Sequence, residues 1–216
     1  ALMGGLADAL DLSKEDPKTI ALYDTASLIQ VDAISKKWNN HKNYADNART
    51  LGKLLCLSRR MCERGAGFVT VTTNFVWDMH ADSNNATIDE GMGYMAPPLD
   101  HAISAFLEDV KSRGLEDKIM LVVCGEMGRT PKINVKGGRD HWGNLGPLLL
   151  AGGGYPMGQV IGQSKADASS PSSDPVTQGM LVSTVLQTLI DYPKLRLSPE
   201  VAREVLNAGS HKNIFS

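Results

Sequence analysis

The sequence predicts an α/β fold, a mostly parallel sheet flanked by helices, and three observations carry that expectation. Ile119 to Cys124 is an unbroken apolar run with the length and composition of a fully buried strand. Phe68 to Thr73 (FVTVTT) is β-branched and aromatic-rich, as a second strand would be. Between them Leu99, Ala102, Ile103, Phe106, Leu107 and Val110 recur at the spacing of one helix face. Strand, helix, strand in this order predicts a right-handed crossover with parallel strands.

The elements follow in order. Residues 1–48 are expected to be a helical or irregular segment packing on an α/β core at 49–216. Asp11 to Pro17 predicts a capped turn into a short helix with Ala21, Leu22 and Tyr23, and Ala26 to Lys37 a second helix. Loop formers from Trp38 to Asn43 end it. Leu51, Leu54, Leu55, Ser58, Met61 and Cys62 then mark a helix face, with Lys53, Arg59, Arg60 and Glu63 opposite. Gly65 and Gly67 stop that helix, and Ser83 to Gly93 predicts a loop. Pro97 and Pro98 lead into the amphipathic helix, which Gly114 closes. Leu148 to Ala151 predicts another strand, ended by three glycines. Ala166 to Pro175 has the composition of a flexible surface loop. Thr177 can cap a helix through Ile190, and Ser198 with Pro199 can start a last one through Val205.

Bulk properties exclude some functions. The chain has 216 residues, 42% of them hydrophobic, enough for one sizeable core and an appended lobe. A net charge of -2 leaves no electrostatic footprint for nucleic acid or an anionic membrane. No apolar run reaches the roughly 18 residues of a membrane span. Cys56, Cys62 and Cys124 have no metal-ligand spacing and are expected to be small core residues. The glycines at 152–154 lack the lysine and hydroxyl residue of a phosphate-cradling loop, and no dinucleotide fingerprint follows a strand.

The chemistry concentrates in Lys118 to Trp142. The apolar strand runs into Gly125-Glu126-Met127-Gly128-Arg129, and Arg139, Asp140 and His141 arrive together soon after. Upstream, Asp78 and His80 are two apart, so an extended chain projects both from one face. That suits chelation or an oriented acid–base pair, and equally a hydrogen bond that closes a loop. Parallel strands place their carboxyl ends on one rim, so Asp78, His80, Glu126 and Arg129 are expected to share it. His41, His101 and His211 are expected to be exposed or inert.

Several motifs in series resemble the family called domain of unknown function 1501, abundant in planctomycetes and related bacteria. They are GEMGRTPKIN (125–134), GRDHW (138–142) and LLLAGGG (148–154), preceded by DLSKED (11–16), LSRRMCERGAGFVTV (57–71) and WDMH (77–80). The resemblance covers nearly the whole chain but only the carboxyl-terminal half or so of a typical family member, which implies a fragment or processed product. That family is grouped with the alkaline phosphatase and sulfatase superfamily, a parallel-sheet fold whose hydrolases bind divalent metals. The resemblance implies an alkaline phosphatase-like, incomplete domain. It implies metal ligation by Asp78, His80, Glu126 and His141, and the hydrolase hypothesis adds Asp140 as a further ligand. Two departures stand out: Met127 occupies the place of a histidine ligand, and the superfamily's nucleophile would lie upstream of Ala1.

The expected function is therefore metal-dependent hydrolysis of phosphate or sulfate esters. Arg129 and Arg139 would fork onto the anion, and zinc, manganese, magnesium or calcium would be the cofactor. The alternative is a non-catalytic structural or binding protein on the same scaffold, one subunit of a larger assembly. The expected partners are an anionic ester and the amino-terminal half of the parent or another chain, with no nucleic acid. The resemblance also implies an exported or periplasmic parent, often with a twin-arginine signal.

Overall fold

The structure, a computed structural model, describes residues 2–73 and 76–216; Asn74 and Phe75, in the stretch expected to lead to Asp78, lie outside the described residues. The chain divides into two compact units. One comprises Ala1–Ile119 with Arg129–His141, the other Met120–Gly128 with Trp142–Ser216.

The first unit is helical, built on α1 (Leu2–Leu10), α2 (Pro17–Leu22), α3 (His41–Glu63) and α4 (Ile88–Ser112). The short second helix forms as expected: Asp16 caps it by accepting from the Lys18 amide at 2.7 Å, with Pro17 at the first position. The helix expected over 26–37 is instead two 3-10 turns, at 26–28 and 31–33. α3 begins at His41, among the residues expected to form a loop, and runs across residue 48. Tertiary contacts override the local signal there. Asn39 and Asn40 donate side-chain hydrogen bonds to Asn84 and Asn85 (both 2.9 Å), and the Trp38 indole donates to Glu90 (2.7 Å).

α4 also starts early. Thr87 accepts from the Glu90 amide at 3.2 Å, and Asp89 and Glu90 fill the first turn, so the expected loop ends at Thr87. Pro97 and Pro98 lie inside the helix, and Gly114 ends it with φ +63°. A core of Ile34, Trp38, Tyr44, Val76, Met79, Ala86 and Met95 sits against these helices.

Arg59 and Arg60, expected on the polar face of α3, are buried. Arg59 donates to Glu15 (2.6 Å), Glu63 (2.5 Å) and Asp109 (2.7 Å). Arg60 donates to Glu15 (2.7 Å) and to the carbonyls of Asp8, Ala9 and Asp11. Arg113 adds bonds to Asp109 (2.6 Å) and Glu15 (3.1 Å). Three guanidinium groups thus meet three carboxylates, and the Tyr23 hydroxyl donates to Asp109 at 3.0 Å. A helical wheel cannot distinguish such a satisfied buried network from a solvated face, because both place charges opposite the apolar stripe.

Burial pushes the Glu15 carboxyl up, but hydrogen bonds from Arg60 and Arg59 prevail and hold it at about 2 instead of 4.5. A depressed carboxylate contributes stability that is complete above its unfolded value and is lost as pH falls through the folded one. Wild-type protein is therefore expected to lose about 2–3 kcal/mol from this group between pH 4.5 and about 2. Urea titrations across that range should show a shallower slope for Glu15→Gln; an unchanged slope would refute the assignment.

The second unit contains β1 (Met120–Cys124), β4 (Leu148–Gly152), α5 (Gln178–Leu189), α6 (Tyr192–Leu195) and α7 (Arg203–Gly209). β1 pairs antiparallel with β4, Met120 opposite Gly152 and Cys124 opposite Leu148. Two-residue strands β2 (Gly128–Arg129) and β3 (His141–Trp142) form the other pairing. The fold mixes helices and strands, but among the described residues the only named strand pairings are two two-stranded ones, β1 with β4 antiparallel, and the mostly parallel sheet is not found. Phe68 to Thr73 forms no strand among the described residues, although its exposure alternates with period two. Apolar, β-branched composition encodes extended backbone and says nothing about partner or direction.

β1 is only partly buried, because two strands cover far less surface than a full sheet, and Cys124 is exposed instead of sitting in a core. Thr177 caps α5 by accepting from the Met180 amide at 3.2 Å, as expected. The last helix starts at Arg203, not at Ser198. Asp191 takes the capping role earlier by starting α6. Among the described residues no helix is long and apolar enough to cross a membrane.

Candidate metal centre

The site is built from two segments of the helical unit, Val76–His80 and Arg129–His141. In the first, Val76 and Met79 are in the core, while Trp77, Asp78 and His80 are partly exposed. The His80 amide donates to the Asp78 carbonyl at 2.8 Å, which draws the two side chains together. Beyond them Asp82 accepts from the amides of Asn84 and Asn85 (both 2.8 Å), and the Ala86 amide donates to the buried Tyr44 hydroxyl at 3.0 Å. These bonds moor the loop to α3.

The second segment folds back on itself. The Thr130 amide donates to the Asp140 carbonyl (2.8 Å), and the Asp140 amide to the Thr130 hydroxyl (3.1 Å). Asn134 is its strut. Its Oδ1 accepts from the amides of Lys136 and Gly138 (both 3.0 Å), while its Nδ2 reaches the His80 carbonyl (3.1 Å) and Asp140 (3.2 Å). The Arg139 amide donates to the Met79 carbonyl at 2.9 Å, docking the loop against the first segment. The Arg139 guanidinium is spent on the carbonyls of Thr130 and Pro131, both at 2.6 Å, so it braces the loop.

Asp78, His80 and His141 come together as a group able to hold a metal ion. His80 Nε2 lies 3.0 Å from His141 Nε2 and 2.9 Å from Asp78 Oδ1, and His141 Nε2 lies 3.0 Å from the same oxygen. On its far side His80 Nδ1 lies 3.0 Å from Asp140 Oδ1. A carboxylate can only accept, so His80 Nδ1–H donates to Asp140, and that bond turns the Nε2 edge of the ring toward Asp78 and His141. A metal-bound histidine is oriented in the same way by a carboxylate behind it. Ligands around a tetrahedral zinc, at about 2.0–2.1 Å from it, stand about 3.3–3.4 Å apart, so the triad needs to open only slightly.

Electrostatics prepares these groups as anions. Burial pushes the Asp78 carboxyl up, but bonds from His141 and Arg129 and the adjacent His80 prevail and hold it below the ordinary carboxylate range. Bonds from His80 and Asn134 hold the Asp140 carboxyl down. Arg129 NH1 donates to Asp78 Oδ1 at 2.5 Å. The His141 side chain is half exposed, so the triad is open to solvent on its side.

Of the seven residues expected from sequence, Asp78, His80 and His141 converge as candidate ligands, Asp140 stands behind His80, Arg129 holds Asp78, and Arg139 braces the loop. Glu126 belongs to the other compact unit and is exposed. Asn134 went unrecognised, although an asparagine shortly before Gly137-Gly138 is a turn signal.

No curated protein and no solved structure matches the chain. A sequence model of the family described as "Protein of unknown function (DUF1501)" matches residues 2–203. The match spans WDMH, GEMGRTPKIN and GRDHW, the motifs that supply every residue of the site, and the chain belongs to this family.

Proposed function

We propose that Asp78, His80 and His141 hold a divalent metal ion serving hydrolysis of phosphate or sulfate esters. The observation that supports this reading is the mutual approach of three atoms able to ligate a metal, two imidazole Nε2 and a carboxylate Oδ1, at 2.9–3.0 Å. Lone pairs so placed repel unless protons or a cation lie among them, and the Asp140 bond places a His80 proton on the opposite nitrogen. Two nitrogens and one oxygen suit zinc or manganese better than calcium or magnesium, which favour all-oxygen shells. Such an ion would polarise an ester oxygen and lower the pKa of bound water. The chain's own residues would orient it. Asp140 fixes the His80 tautomer, Asn134 fixes Asp140, and Arg129 supplies a planar donor fork for a tetrahedral oxyanion.

A second reading is a binding or structural protein on the same scaffold. It is favoured by Asn134 and Arg139, which tie the Arg129–His141 segment to Met79 and His80 through the protein's own hydrogen bonds. Elemental analysis and zinc titration of wild type, Asp78→Ala and His141→Ala separate the two. The metal reading expects near-stoichiometric metal in wild type and affinity at least 100-fold lower in either variant. Phosphatase and sulfatase assays with added metal then test hydrolysis. Wild type that binds no zinc or manganese would eliminate the metal reading, and metal without turnover would favour the structural one.

A further inference from the structure

Arg129 and a metal ion would want the same oxygen. Asp78 Oδ1 receives Arg129 NH1 at 2.5 Å and also faces both triad nitrogens. A dication seated among the three ligand atoms would use that oxygen and stand only about 4 Å from the guanidinium, where like charges repel strongly. The Arg129 side chain is about four-fifths buried, so bulk water screens that repulsion only in part.

We infer that Arg129 is an internal counter-cation, displaced from Asp78 by metal and thereby made available to an incoming tetrahedral oxyanion. This rests on the metal reading and adds regulation to it. Before loading, the guanidinium neutralises Asp78 and holds the carboxylate in place. After loading, the ion takes over that neutralisation, and the Arg129 Nη1 donor that Asp78 had held turns toward an anion bound at the ion's solvent-facing side. Metal and anion binding are then linked. Because linkage is reciprocal, the factor by which zinc strengthens phosphate binding must equal the factor by which phosphate strengthens zinc binding. Zinc by itself also attracts phosphate, so the share of the coupling that disappears with Arg129 is what the displacement predicts.

Calorimetric titration of the full chain with zinc alone, with inorganic phosphate alone, and with phosphate after zinc tests the inference. Wild type should bind phosphate at least about ten-fold more tightly once zinc is present. Arg129→Gln should bind zinc about ten-fold more tightly than wild type and show a smaller zinc-dependent gain in phosphate affinity. Arg129→Lys keeps the charge without the fork, so its zinc affinity should stay within about two-fold of wild type while phosphate binding weakens about ten-fold. That variant decides the matter should Arg129→Gln fail to fold. If wild type binds zinc but Arg129→Gln binds it equally or less tightly, the displacement is refuted and the metal centre survives. Equal phosphate affinity with and without zinc also refutes it. If no form of the protein binds zinc, the metal reading falls together with this inference.

Discussion

Arg59→Ala is expected to destabilise the protein by about 3–5 kcal/mol, the cost of removing one partner from a buried ion network. The side chain is 1% exposed and makes charge-assisted bonds to Glu15, Glu63 and Asp109. Alanine would leave Asp109 (3% exposed) with Arg113 as its remaining cationic partner. It would also leave a void the length of an arginine side chain between α3 and α4. Burial together with the negative charge of Asp109 already pushes the Tyr23 hydroxyl pKa far up, so that group would remain a donor and could not compensate. Urea or guanidinium midpoints give the measurement, with Lys37→Ala as the control. Lys37 meets Glu90 at 2.8 Å on the surface and should cost no more than about 1 kcal/mol. A loss under about 1 kcal/mol for Arg59→Ala would mean the network is not the keystone described above.

Gly138→Ala should dismantle the proposed metal centre without touching a proposed ligand. A Cβ at Gly138 would lie 2.2 Å from the His80 carbonyl carbon, 2.3 Å from its oxygen and 2.6 Å from the Met79 carbonyl oxygen. These are backbone atoms and cannot swing aside, so the loop itself must lift. Lifting it breaks the Arg139 amide bond to Met79 and carries Asp140 and His141 away from His80. Loss of an outer partner alone costs about 10–100-fold in metal affinity, and displacing a ligand as well should exceed that. Zinc affinity is therefore expected to fall more than 100-fold, with about 1–3 kcal/mol of destabilisation from the steric clash. Gly143→Ala is the matched control, since a Cβ there meets nothing within 4 Å. Equal zinc affinities in the two variants would show that the close approach at Gly138 does not position the site.

How much of this was legible in the sequence depends on the range of the interaction involved. Capping is local, so Asp16, Thr177 and Gly114 could be placed from a few neighbouring residues. The approach of Asp78 to His80 is also local, but the turn closed by the His80 amide on the Asp78 carbonyl sets it, where the sequence predicted the alternation of extended chain. Where the outcome depended on distant partners, local signals failed. Asn39 and Asn40 looked like loop formers, yet they are anchored by Asn84 and Asn85, and α3 starts beside them. Arg59 looked like a solvated residue, yet its partners are supplied from as far away as Glu15 and Asp109.

The order of residues by itself determined which side chains make up the candidate site, since the WDMH and GRDHW motifs hold all three candidate ligands and the carboxylate behind them. It also determined the family and the mixture of helices with strands. Only the tertiary structure decided that Asp140 stands behind His80 instead of joining the ligand triad, that Arg139 braces a loop, and that β1 finds an antiparallel partner in β4. The physical reason is that side-chain identity and backbone alternation are properties of neighbouring residues. Strand direction, hydrogen-bond partner and burial of charge arise only when segments far apart in the chain compete for the same donors, acceptors and space.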